Sequence, residues 1–158
     1  MLTTEMQGGL PEILASHAEP CAPVMPTHDQ LRELERLMLE HGEPVGMTLE
    51  HHFADGVYGR ELFVPAGSLI TGKIHRHSTL NVLVQGDITV TTPDGLKRIQ
   101  APAVFVSAPG TKKVGFAHTD VRWLNVHPTK LKDLASIEAK FIVPEAPHAL
   151  QEERPCLG

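Results

Sequence analysis

Aromatic side chains are scarce in this chain: five Phe, one Trp and one Tyr among 158 residues. A core built from it has to rest on Val, Leu, Ile and Ala. Cysteine is nearly absent as well. The two present, Cys21 and Cys156, lie in opposite tails, which argues for reduced thiols and against a disulfide framework. No apolar run reaches the roughly 18 residues that a membrane-spanning helix needs. The chain opens Met-Leu-Thr-Thr-Glu-Met-Gln, without the basic start and apolar stretch of a secretory signal, so the cytoplasm is the expected compartment. A Gly-rich phosphate loop, a nucleophile elbow and a paired-cysteine zinc motif are all missing.

What is present is unevenly charged. Residues 1–50 carry Arg32 and Arg36 against nine acids, a balance of −7. Residues 51–128 carry eight Lys or Arg against five acids, +3, and the remainder is −1, giving −5 overall. An acidic total argues against nucleic acid or an anionic membrane as the main partner. The positive middle suits a small anionic ligand.

One domain is the expectation for this length. Residues 1–26, with Gly8, Gly9 and several prolines, read as a flexible arm. A helix is predicted over 27–43: Thr27 and Gln30 have capping-box spacing, Leu31, Leu34, Leu37 and Met38 form an apolar stripe, and Gly42 and Pro44 stop it. From Met47 to His127 the period is two. About nine short strands separated by turn signals, among them Ile70–His77, indicate an antiparallel sandwich or barrel. A second amphipathic helix is predicted over 128–143, with Thr129 as cap and Leu131, Leu134, Ile137 and Phe141 as its apolar face. Residues 144–158 read as a tail.

The stretch from Gly67 to Gly86 organises the rest. Lys73, His75 and His77 stand at every second position, and in a strand they would share a face. Glu61, on the preceding strand, and His127, at the end of the last one, could reach the same interior. His51 and His52 are adjacent and so face opposite ways. Lys112-Lys113 reads as a solvated turn.

The spacing of this stretch resembles the first motif of the cupin superfamily, G-(X)5-H-X-H-(X)3,4-E-(X)6-G, laid without a gap on Gly67 and Gly86. The two motif histidines then fall on Lys73 and His75, and the glutamate on Thr79. The second motif, G-(X)5-P-X-G-(X)2-H-(X)3-N, fits around Pro109-Gly110 and puts its histidine on Lys113 and its asparagine on Ala117. The chain looks most like small cupin-like proteins of phage and bacterial genomes, and the resemblance covers residues 47–127. It implies an all-β fold, an antiparallel double-stranded β-helix or jelly roll, here with an N-terminal and a C-terminal amphipathic helix. Metal-binding cupins use three His and one Glu from these positions, and only His75 remains. A protonated lysine cannot coordinate a metal, and threonine is a poor substitute for a carboxylate.

Three readings stand open. A binding or structural module would hold a small anion with Lys73, His75, His77 and Lys113, Glu61 being the counter-charge. A metal-dependent oxygenase or isomerase would hold a divalent transition metal with His75, His77, Glu61 and His127. A metal-independent, epimerase-like enzyme would use His75 as base and Lys73 or Lys113 to steady an enolate. Lysine in ligand positions favours the first. A homodimer or higher homo-oligomer is expected in all three, because edge strands and an uncovered amphipathic helix are relieved by a two-fold contact.

Overall fold

A computed structural model describes residues 2–5 and 25–145. The chain runs β1 (Leu2–Glu5), α1 (His28–His41), β2 (Glu43–Pro44), β3 (Thr48–Ala54) and β4 (Val57–Val64). It continues with β5 (Ser68–Thr71), β6 (Thr79–Gln85), β7 (Asp87–Thr92) and β8 (Gly95–Gln100). Then come β9 (Ala103–Ser107), β10 (Val114–Ala117), β11 (Val121–Pro128) and α2 (Leu134–Phe141). One sheet has the order β2-β1-β5-β10-β7-β8 and the other β3-β4-β11-β6-β9. All the pairings are antiparallel. Without the first three strands the orders become β5-β10-β7-β8 and β4-β11-β6-β9. That interleaving is the double Greek key of a jelly roll.

Alternation sets the inner face. In β4, Tyr58, Arg60, Leu62 and Val64 point inward and are buried. Leu62, Val64, Ile70, Leu83, Ile88, Val90, Ala117 and Val121 form the core between the sheets, with Trp123 packed against it. The glycines at both ends of the motif stretch are held by the backbone: φ is +78° at Gly67 and +95° at Gly86, a region side-chain-bearing residues rarely adopt. A Cβ on Gly86 would lie 2.3 Å from the carbonyl oxygen of Asp120.

α1 carries the expected capping box. The Gln30 N–H donates to Thr27 Oγ1 at 3.2 Å and the Thr27 N–H to Gln30 Oε1 at 2.8 Å. Its buried face differs from the expected stripe. Leu31, Glu35 and Met38 turn inward, while Leu37 is 39% exposed. The reason is Lys112, which is 3% exposed and lies 2.7 Å from Glu35, with Glu145 as a second partner. The expected solvated turn is thus, at Lys112, a buried ion pair that fastens α1 to the barrel, with Leu31 and Met38 buried beside it and Leu37 and Leu39 left exposed.

Other boundaries also move. Leu2–Glu5 is not a loose arm but a strand paired with β5 and β2; residues 6–24, with Cys21, and 146–158, with Cys156, lie outside the described residues. β5 stops at Thr71, so the strand expected up to His77 is broken. There the chain is held by the residue before β10 and by the C-terminal end of α2: the Gly72 N–H donates to Lys113 O, Arg76 N–H to Phe141 O and Val143 N–H to Ile74 O, at 2.8–2.9 Å. α2 begins five residues later than Thr129, behind Asp133, whose carboxylate accepts from the Ser136 N–H at 2.8 Å. Ile137 and Phe141 are its buried residues, and Leu131 and Leu134 stay exposed. Among the described residues no helix is long and apolar enough to cross a membrane.

Candidate functional site: a cationic barrel mouth over an apolar floor

Registers place the inner residues in successive rungs along the barrel. Tyr58 lies opposite His127, Arg60 opposite Asn125, Leu62 opposite Trp123 and Val64 opposite Val121. Asn81 joins the Asn125 rung and Leu83 the Trp123 rung. Thr79 and Ser107 are paired on the mouth side of Asn81. Polarity therefore falls rung by rung, from imidazole and guanidinium at one end to valine at the other. A cavity of about 90 Å³ runs along this gradient.

The four positions at which the cupin motifs carry metal ligands all line this cavity: Lys73, His75, Thr79 and Lys113. Lys73 and His75 reach it from the loop after β5, and Lys113 from the residue before β10. Lys113 Nζ donates to Ser107 Oγ and lies 6.0 Å from the Phe105 ring centroid; burial pushes its ammonium below the usual lysine range. Lys73 is engaged by Glu138 of α2. Burial pushes the Glu138 carboxyl up, but the Lys73 bond and the Lys73 and Arg60 charges outweigh it and hold it below the usual range.

Thr79 Oγ1 lies 3.0 Å from His75 Nδ1 and within 3.3 Å of His77 O. The His75 and His127 rings stack at 5.3 Å, 12° from parallel, and Tyr58 stacks on the far side of His127. Burial, followed by the charges of His127, Arg60 and Lys113, lowers His75 to about 4. Burial and Arg60 do the same for His127, also to about 4. Both rings are neutral at pH 7. Asn81 binds the inner layer together: its Oδ1 accepts from Trp123 Nε1 at 3.1 Å and Asn125 Nδ2 at 2.9 Å, while its Nδ2 donates to Thr79 O and Ser107 Oγ at 2.8 Å.

Arg60 is the exception in this satisfied network. It is 7% exposed, and its Nε is buried without a hydrogen-bond partner. Among the described residues it has no ion pair. It lines both the barrel cavity and a second one of about 80 Å³, roofed by α2 and shared with Tyr58, Lys73, His127 and Glu138. A buried cation is ordinarily paired. Alternation was the signal for it, because Arg60 shares the phase of Tyr58, Leu62 and Val64.

Two of the residues expected at the site lie elsewhere. Glu61 belongs to the opposite phase of β4 and is on the outer face, 2.9 Å from His52 Nε2 and 2.8 Å from Arg122 Nη1. It is neither counter-charge to the lysines nor ligand to an interior metal. His77 is exposed, edge-on to Phe141 at 6.1 Å, because its segment is a loop and the two-residue period does not apply. His127 does meet His75. His51 points inward to Tyr58 Oη, at 2.7 Å, and His52 points outward.

The interior donors do not fit a divalent metal. Two stacked imidazoles face Arg60, Lys73 and Lys113, and the carboxylate nearest them, Glu138, is engaged by Lys73. Among the described residues the single trio of metal-capable atoms within 4.8 Å of one another is Glu50, His52 and Glu61, outside the barrel, where Glu61 already binds Arg122.

No family model and no curated protein matches this chain. Solved structures that do match include an acetylacetone dioxygenase from Acinetobacter johnsonii, 18% identical over 52% of this chain and 60% of that one, TM-score 0.44. KdgF from Halomonas sp. matches at 16% identity over 56% and 84% of the two chains, TM-score 0.47. The cupin domain of Cnp3 from Schizosaccharomyces pombe matches at 18% over 65% and 77%, TM-score 0.45. The chain spans about 60% of the dioxygenase's length. Scores of this size carry nothing about activity. The strand order itself defines an eight-stranded jelly roll. Its fold is an antiparallel double-stranded β-helix.

Proposed function

We propose that the barrel is a binding module for a small organic anion, with the anionic group seated against Arg60 and Lys113 at the mouth. The observation that carries this reading is Arg60, a guanidinium 7% exposed with no ion-pair partner among the described residues. Its planar fork suits a carboxylate or phosphate. Lys113 adds a second positive charge, and neutral His75 and Thr79 supply hydrogen-bonding groups beside it. The epimerase-like reading needs an inward carboxylate to orient His75. Glu61 lies outside and Glu138 is engaged by Lys73, so the binding role is favoured.

Thermal unfolding tests it, in formate, acetate, phosphate or sulfate against chloride of equal ionic strength. An anion present at a hundred times its Kd adds about 2.7 kcal/mol, a Tm rise of several degrees for a chain of this size. The rise should disappear in Arg60→Met. If no anion raises Tm above the chloride control, the proposal fails.

A further inference from the structure

Below Arg60 the barrel offers an anion nothing further to hold. The next two rungs are Leu62 with Trp123 and Leu83, then Val64 with Val121. Ile88 and Val90 close the far wall, each 2% exposed. The registers of β10 fix the depth of that wall: Gly115 lies beside Val90, and Ala117 beside Ile88. Every cation lining the cavity therefore stands at one end, and among the lining side chains the only polar group on the lower rungs is the Trp123 indole N–H, already given to Asn81 Oδ1; the Ser68 hydroxyl, buried beside Ile70 on β5, does not line the cavity.

We infer that the ligand is a short aliphatic monocarboxylate, its carboxylate at Arg60 and its hydrocarbon tail pointing down the barrel onto Leu62, Val64, Ile88 and Val90. This rests on the anion-binding reading above and adds the substrate class. A second charge at the far end of the ligand would be stranded on these apolar rungs without a partner, which costs several kilocalories. A dicarboxylate and a bare inorganic anion are both disfavoured on that ground, the second because it leaves the floor unused. The size follows from the cavity. A void near 150 Å³ is the size that takes a benzene ring, so one of about 90 Å³ takes a tail shorter than that, an acid of about three to five carbons.

Trp123 reports on the site without labelling. It is the only tryptophan of the chain, it lines the cavity, and its ring packs edge-to-face on Phe105 at 5.2 Å. Its emission is titrated at pH 7.5 with formate, acetate, propionate, butyrate, valerate and hexanoate, and with butyramide, succinate and phosphate. The expected result is a Kd that falls about fourfold per added methylene up to the length that fills the cavity, and then rises. Butyramide and succinate should bind at least tenfold more weakly than butyrate.

Two variants locate the ends of the ligand. Arg60→Met should abolish the response to every acid. Val90→Ile, which adds one methylene to the wall, should move the optimum down by about one carbon; circular dichroism shows whether each variant is folded, and the wild-type series decides the matter alone if Val90→Ile is not. A Kd that does not change with chain length, or a preference for succinate or phosphate, overturns the monocarboxylate and leaves anion binding in place. If no anion alters either the emission or Tm, both readings fall.

Discussion

Replacing Arg60 by methionine should make the empty protein more stable, the reverse of what substitution of a buried residue usually does. The guanidinium is 7% exposed and its Nε has no partner. Taking an ion out of water costs several kcal/mol even after relaxation. The barrel cavity that Arg60 lines, about 90 Å³, has room for water beside it, so the cost here is put at about 1–3 kcal/mol. Methionine keeps most of the aliphatic stem and can fill the space the charge leaves. At about 2–4 °C per kcal/mol for a chain of this length, Tm should rise by about 2–12 °C. Urea unfolding at pH 7.5, followed by Trp123 emission and circular dichroism, measures the same quantity as a shift in midpoint at unchanged slope. Because Arg60 also lowers the pKa values of His75 and His127, both imidazoles should titrate at higher pH in the variant, which NMR resolves. A loss of more than about 1 kcal/mol in Arg60→Met would show that Arg60 is part of the structural network, and the argument for a ligand would lose its base.

The remaining expectations concern pH, the helix clamp and the motif glycine. His75 and His127 titrate at about 4 in the fold against about 6.5 unfolded. The unfolded chain therefore takes protons first as pH falls. Stability is full above about pH 6.5 and is lost between 6.5 and 4, by roughly 3 kcal/mol for His127 and at most as much again for His75. Urea midpoints that stay level from pH 7 to 4.5 would contradict this. Lys112→Met removes the ammonium that Glu35 and Glu145 share and should cost about 3–5 kcal/mol, whereas Glu35→Leu with Lys112→Met should recover most of it. A double variant as unstable as the single one would mean that the pair does more than hold α1. Gly86→Ala sets a Cβ 2.3 Å from Asp120 O at φ +95°, and a loss of at least about 2 kcal/mol is expected by denaturant unfolding; a change below about 0.5 would show that the turn relaxes.

The strand frame was legible because two local rules agree over most of the barrel. Alternation marks the inner residues of β4, β6 and β11, and turn residues such as Asp94-Gly95 mark where the chain reverses. Legibility ended where tertiary contacts replace local pattern. Residues 72–77 alternate well enough to read as a strand, yet their backbone bonds go to Lys113 before β10 and to Phe141 and Val143 at the C-terminal end of α2. That keeps Lys73 and His75 at the cavity and turns His77 away. The pairing of Lys112 with Glu35, 77 positions apart in sequence, has no local signature at all, and neither does Glu138 over Lys73.

Arg60 is the instructive case, because its signal was present and of an ordinary kind. Residues 57–64 offer two phases: Val57, Gly59, Glu61, Phe63 and Tyr58, Arg60, Leu62, Val64. The second is the more apolar and runs on to the core residue Val64, so it is the inner face by the period-two rule. A charge in that phase contradicts the pattern that folds the strand, and such contradictions concentrate where function requires them. Glu61 drew notice as an acid near lysines, but its phase sends it outward to His52 and Arg122. The motif frame, read by spacing alone, points to Lys73 and Lys113. Read by phase, the preceding strand adds the Arg60 guanidinium to the same cavity, and it is this third cation, without an ion pair among the described residues, that carries the proposal of an anion site.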